Sequence, residues 1–230
     1  MMAKHIGIVG CSAEGASLCY RTICSEGAAT LGNHAHPEVS MHTPPLSHYM
    51  ACLERDDIDG VGDLMLASAH KLARAGADIL ICPDNTIHQA FAYVEQRSPL
   101  PWLHIAEIVA GEAVARGHRK LALLGTRWLV ESEVYPAIAQ AQGVEIVKPD
   151  IETRIEIDRL IFEDLVKGIF DPATVEYFRK AIETMARQGC DAVILGCTEI
   201  PLIIDDENSQ LPVLDSTRLL ARAALRHVIS

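Results

Sequence analysis

The chain has 230 residues, 49% hydrophobic and 5% aromatic, with a formal net charge of −11. This length supports one large domain or two small ones with real cores. The acidic balance argues against nucleic acid or an anionic membrane as a partner, and no apolar run approaches the roughly 20 residues of a membrane span. Seven cysteines are scattered without CxxC or zinc-finger spacing, which reads as reduced thiols rather than a disulfide framework. The N-terminus passes directly into a strand pattern with no separate apolar segment, so a cytoplasmic protein is expected.

Taken in chain order, β-rich runs bounded by glycine or proline predict strands at 5–9, 38–42, 78–82, 121–124, 144–147 and 191–195. Helical patterns fall between them. The run 61–75 carries Leu64, Ala67, Ala69, Leu72 and Ala73 on one broad face and stops at Gly76. Those at 107–116 and 131–142 end at Gly117 and Gly143, and 155–167 ends at Gly168. The helix 172–188 has Pro172 in its first turn and Gly189 at its end, and 215–227 closes the chain. Strand and helix in alternation predict an α/β fold with parallel sheets covered by helices and function at the carboxyl ends of strands.

The chain carries one phrase twice. Residues 72–86 align without a gap on 185–199, each reading as a helix end, a glycine stop, a buried strand and a polar turn. After the strand stands Asp84 in one copy and Cys197 in the other. A second echo sets Lys4-His-Ile-Gly-Ile-Val-Gly10 against Arg119-Lys-Leu-Ala-Leu-Leu-Gly125. Two pseudo-symmetric lobes are expected, residues 1–98 with 211–230 and residues 99–210, broken near the prolines of Arg97-Ser-Pro-Leu-Pro101. The repeat suggests a cleft with one proton-transfer group on either wall.

Four strand-end turns carry the chemistry: Gly10-Cys-Ser-Ala-Glu-Gly15, Asp84-Asn-Thr86, Gly125-Thr-Arg127 and Gly196-Cys-Thr-Glu199. Such turns point backbone N–H groups and hydroxyls into a crevice and can hold a carboxylate. The first lacks GxGxxG spacing, which disfavours a nucleotide cofactor. Removing an α-proton needs a close, aligned base. The thiol of Cys197 suits that task if a helix N-terminus follows it; the bland alternative is a packing cysteine. Cys11 is a pocket-wall candidate. His34, His36, His42 and His48 lie close in sequence, but without metal-ligand spacing, so no metal is expected.

Ile6-Gly-Ile-Val-Gly10, Asn85-Thr-Ile-His88, Leu124-Gly-Thr-Arg127, Ile161-Phe-Glu-Asp-Leu165 and above all Gly196-Cys-Thr-Glu-Ile200 resemble the cofactor-independent aspartate/glutamate racemase superfamily nearly end to end. The resemblance implies two α/β lobes about a pseudo-two-fold axis, an active site between them, and two acid/base residues flanking a substrate α-carbon. These fall on Asp84 and Cys197. Thr86, Thr126 and Thr198 with nearby amides would hold the α-carboxylate, and Cys11 and Ser12 would belong to the substrate-binding wall. Asn85 would fix the amino acid, and Glu199 and Glu156 would line the pocket. No cofactor is implied, and the family often forms homodimers.

The chain departs from the family pattern twice. Two-thiol members read Cys-Asn-Thr where this chain reads Asp84-Asn85-Thr86; a carboxylic acid can shuttle a proton or can simply cap the turn. Where acidic-substrate members carry a lysine, the alignment places Glu156, with Arg154 and Arg159 nearby, and a second cation, in the loop after the second strand, would fall near Ser47-His-Tyr49. A pocket with Asp84 and Glu156 disfavours aspartate and glutamate and favours a neutral or basic amino acid or a related carboxylic acid. Three readings stand: an amino-acid racemase, which leads; a single-cysteine decarboxylase of substituted malonates; and a non-catalytic amino-acid or carboxylate binding protein.

Overall fold

The computed structural model describes residues 3–229. The chain divides into two compact units: one runs up to Ile108 and resumes at Thr217, and the other is Val109–Ser216. The division falls inside one helix and at the first turn of another, whereas the sequence places it after residues 98 and 210.

In the first unit, β1 (Ile6–Val9), β2 (Val39–His42), β3 (Ile79–Ile81) and β4 (Trp102–Leu103) form a four-stranded parallel sheet ordered β2-β1-β3-β4. Ile6 and Ile8 of β1 face a core made with Cys19 and Ile23 of α1 (Ala13–Leu31), Ile105 of α5 (Ile105–Ala115), and Leu220 and Ala224 of α10 (Ser216–Ile229). Arg222 of α10 donates to both carboxylate oxygens of Glu26 on α1, at 2.8–3.1 Å. Gly7 turns the other way, where an added Cβ would stand 2.6 Å from Leu80 Cδ2 and 3.3 Å from Leu72 Cβ. Leu72 belongs to α3 (Ile58–Arg74), which buries Val61, Met65, Ala69 and Leu72 along one stripe. α2 (Leu46–Leu53) and α4 (Phe91–Glu95) complete this unit.

In the second unit, β5 (Lys120–Leu124), β6 (Glu145–Val147), β7 (Ala192–Leu195) and β8 (Val213–Asp215) repeat the scheme as a parallel sheet ordered β6-β5-β7-β8. Ala122, Leu124, Val193 and Leu195 pack with Ile157 and Ile161 of α8 (Ile151–Glu163) and Phe178, Ile182 and Met185 of α9 (Pro172–Arg187).

The internal repeat is structural down to single hydrogen bonds. Gly76 and Gly189 both take positive φ, 93° and 88°, which glycine adopts without steric cost. Ala77 N then donates to Leu72 O at 3.0 Å, and Cys190 N to Met185 O at 3.2 Å. The next residue is an aspartate each time. Asp78 accepts from His5 N at 2.7 Å and returns its own N–H to His5 O at 2.8 Å. Asp191 accepts from Lys120 N at 3.2 Å and returns its N–H to Lys120 O at 2.8 Å.

Three expectations are corrected. The helix expected at 131–142 is two short ones, α6 (Arg127–Glu131) and α7 (Pro136–Ala141), because Ser132 is extended and Pro136 opens the second. The helix expected at 155–167 is α8 followed by a 3-10 turn, Leu165–Lys167, which ends at Gly168 with φ 72°. Asp215, where the last helix is expected to begin, is instead the final residue of β8.

Candidate active site

In the first unit β1 pairs with β3 through Ile8 and Ile81, so the turns after these strands are neighbours. The first turn holds buried Cys11 and Ser12; Ser12 Oγ accepts from Gly15 N at 3.1 Å and caps α1. The second holds Asp84, with Asn85 and Thr86 buried. Asp84 Oδ1 accepts from Thr86 N at 3.0 Å and from Ile87 N at 3.4 Å. The carboxylate therefore caps the 3-10 turn Thr86–Ala90, and its position is fixed by that turn.

Behind this turn lies His88, fully enclosed, with Nε2 3.0 Å from Cys82 O. A carbonyl can only accept, so Nε2 carries the ring proton and bridges the end of β3 to the turn that displays Asp84. Phe91 stacks on His88 at 5.4 Å, and His104 meets both rings edge-on. Burial, reinforced by His104, lowers the His88 pKa to about 3; burial lowers that of His104 to about 4.

Tyr49 is a component that sequence reasoning reached only as part of the stretch Ser47-His-Tyr49, without giving it a role. It is wholly buried, and burial, reinforced by Cys82, Cys11 and Asp84, drives its phenol pKa far up, which keeps it protonated. It stands on α2, where the sequence suggests the loop after the second strand, and its type gives no signal in the sequence.

In the second unit the turns after β5 and β7 are held together by backbone contact. Gly196 N donates to Leu124 O at 2.7 Å. A Cβ on Gly196 would stand 2.8 Å from Leu124 O and 2.5 Å from Leu129 Cδ2, so only glycine fits. Thr126 Oγ1 accepts from Leu129 N at 3.4 Å and caps α6. On the neighbouring turn, Cys197 Sγ donates to Glu199 Oε2 at 2.9 Å, and Thr198 Oγ1 donates to the same oxygen at 2.8 Å. All three residues are buried, Cys197 least so at 9% exposure.

The expected helix N-terminus beside the thiol is corrected by the backbone. No α-helix begins at Cys197; the chain continues into the three-residue 3-10 turn Ile200–Leu202. The polar influence on the thiol is a carboxylate, not the dipole of a long helix. Glu199 thus touches the sulfur directly, a contact invisible in the motif because it depends on the local backbone path.

Glu156 is on α8. Arg159 Nε donates to its Oε2 at 2.8 Å and Arg159 Nη2 to its Oε1 at 2.6 Å, a bidentate pair that holds the Glu156 pKa below the usual carboxylate range. Its charge is therefore met by one of the two arginines that the sequence places nearby. Asp158 on the same helix accepts from Arg127 N at 2.8 Å and steadies the Thr126 turn; the Arg127 guanidinium lies over the Trp128 ring at 4.3 Å.

Two parallel four-stranded α/β sheets with paired polar turns at their carboxyl strand ends define the architecture of a known group. Residues 6–224 match the Asp/Glu/Hydantoin racemase family, and the chain belongs to it. The broad specificity amino-acid racemase of Bacillus subtilis is 25% identical over 172 residues, 74% of this chain and 73% of that protein. A glutamate racemase of Thermus thermophilus is 29% identical over 67% of this chain and 57% of its own length. Among solved structures, an aspartate racemase homologue from Pyrococcus horikoshii superposes with a TM-score of 0.85 at 28% identity, covering 99% of this chain and all (100%) of that one. A Yersinia pestis protein provisionally assigned as an Asp/Glu racemase gives 0.89 at 29% identity, covering 99% and 100%.

Proposed function

We propose that the protein is a cofactor-independent amino-acid racemase in which Asp84 and Cys197 act on opposite faces of the substrate α-carbon. The observation that carries this reading is the Cys197 thiol, held at 2.9 Å by the carboxylate of Glu199. Glu199 takes the thiol proton; the thiolate takes the α-proton; and protonated Asp84 delivers its proton to the opposite face. One proton passing from Glu199 to solvent and one from solvent to Asp84 restore the starting state. In the reverse direction Asp84 is the base and the Cys197 thiol the acid.

The carbanion formed on proton removal places charge on the α-carboxylate, which the hydroxyls of Ser12, Thr86, Thr126 and Thr198 and the amides of their turns would hold. Asn85 would orient the amino group and Cys11 would form part of the wall. Substrates are a neutral or basic amino acid, or a related carboxylic acid, before aspartate or glutamate. With Glu156 paired to Arg159, this preference rests on the carboxyl groups of Asp84 and Glu199, one of which is ionised at the start of either direction of the reaction. The broad specificity of the Bacillus subtilis relative agrees with it. The protein is expected to work in the cytoplasm, and a homodimer follows the family's habit.

The two main-chain N–H bonds to Asp84 Oδ1 favour a second reading, in which Asp84 is a cap only. Cys197 would then be the single proton donor of a decarboxylase, or the site would bind a carboxylate without turnover. A screen of the common amino acids in both configurations, in deuterated solvent, separates the three. The racemase incorporates α-deuterium and erases optical activity. The decarboxylase releases carbon dioxide from a substituted malonate and yields one enantiomer. The binding protein is stabilised by ligand with neither result.

A further inference from the structure

We propose that a cavity on the flank of α3 is a binding site for a small organic oxyanion, a carboxylate or a phosphate ester. The cavity is a half-open recess of about 360 Å³ lined by His42, Thr43, Pro44, Pro45, His48, Leu64, Ala67, Ser68 and Lys71. None of the candidate active-site residues lines it, so the inference stands apart from the racemase reading. Its volume lies within the range of small-ligand pockets, roughly 300–1,000 Å³.

The polar side of the cavity is a directed chain of hydrogen bonds. Lys71 Nζ donates to His42 Nε2 at 2.8 Å, His42 Nδ1 donates to Ser68 Oγ at 2.9 Å, and Ser68 Oγ donates to Leu64 O at 3.2 Å. Because an ammonium can only donate, His42 accepts at Nε2 and is neutral. Burial and the Lys71 charge both hold its pKa below the ordinary histidine value. Lys71 is thus tethered by an uncharged partner rather than neutralised, and no carboxylate lines the cavity. In a chain of net charge −11, this is a local pocket of positive potential with ammonium protons to spare.

An oxyanion there would take charge-assisted hydrogen bonds from Lys71, and Thr43 and His48 also line the cavity. Leu64, Ala67, Pro44 and Pro45 offer an apolar surface for a short aliphatic body. A cation would be repelled by Lys71, and a purely apolar ligand would leave the polar wall unsatisfied.

The test titrates sodium butyrate and inorganic phosphate separately into full-length protein labelled with nitrogen-15 at histidine and lysine. The resonances of His42 and Lys71 should move saturably with at least one probe. Butyrate alone would assign carboxylates, and phosphate alone would assign phosphate esters. Lys71→Gln should weaken binding about tenfold or more, while Lys71→Arg should keep it within about threefold. Cys197→Ser should leave the titration unaltered. Absence of a saturable shift with both probes, or equal binding by Lys71→Gln and wild type, overturns the proposal.

Discussion

Cys197 and Glu199, two residues apart, share one short hydrogen bond: Sγ donates to Oε2 at 2.9 Å inside a buried turn. Thr198 closes on the same oxygen, so the carboxylate is locked toward the thiol. Glu199→Gln keeps the shape but removes the proton acceptor. Its α-proton exchange rate is predicted to fall about 100-fold or more, with KM nearly unchanged. Steady-state kinetics in both directions checks this, and an unaltered kcat would remove Glu199 from the proton path.

Asp84 is predicted to do more than an ordinary cap. Asp84→Asn retains an oxygen for Thr86 N and Ile87 N, so stability should change by less than about 1 kcal/mol. Racemisation should nevertheless drop at least about 100-fold, since an amide carries no transferable proton. Urea denaturation and polarimetry on one preparation give both answers. Full activity in this variant would make Asp84 a cap alone.

His88 and His104 make stability depend on pH. Their folded pKa values, about 3 and about 4, lie below the ordinary value of 6.5. Below pH 6.5 the unfolded chain therefore binds protons that the folded one does not. Stability contributed by these two neutral rings is fully present above pH 6.5 and is lost as pH falls toward 4, by up to about 1.4 kcal/mol per pH unit for each ring. Urea midpoints at pH 7 and pH 5 should differ accordingly, and His88→Phe should flatten the slope. An equally steep slope in that variant would place the effect elsewhere.

The close approach of the β5 and β7 strand ends predicts a sharp contrast between two glycines. Gly196→Ala would press its methyl group 2.8 Å from Leu124 O and should cost about 1–3 kcal/mol. Gly111→Ala, in α5 with nothing within 4 Å, should stabilise by about 0.5–1 kcal/mol. Thermal melts of both variants decide this, and similar shifts would mean that the turn can relax.

The repeat and the glycine stops make most of the fold readable. Positive φ at Gly76, Gly117, Gly143, Gly168 and Gly189 marks helix ends where the residue pattern expects them. β4, two residues long, is too short for a periodic pattern, and β4 and β8 each follow a proline that interrupts the apolar run. α1 lacks a clear apolar stripe in sequence, since Gly15, Thr22 and Gly27 occupy buried positions that larger apolar side chains would mark. At the site, residue types and order are legible, whereas partners are not. The i,i+3 spacing of Glu156 and Arg159 allows an ion pair on a helix but does not fix its bidentate form, and nothing in Cys197-Thr-Glu199 fixes the direction of the carboxylate. Those depend on rotamers chosen by the surrounding packing.

The central claim is that two different groups serve the two faces of one α-carbon. The most direct measurement follows the wild-type enzyme in deuterated water at early conversion, with mass spectra taken separately for recovered substrate and product enantiomer. Two opposed groups predict a product fully deuterated at the α-carbon and recovered substrate still carrying protium. Label appearing equally in both pools, or a product that retains its original α-proton, would contradict it.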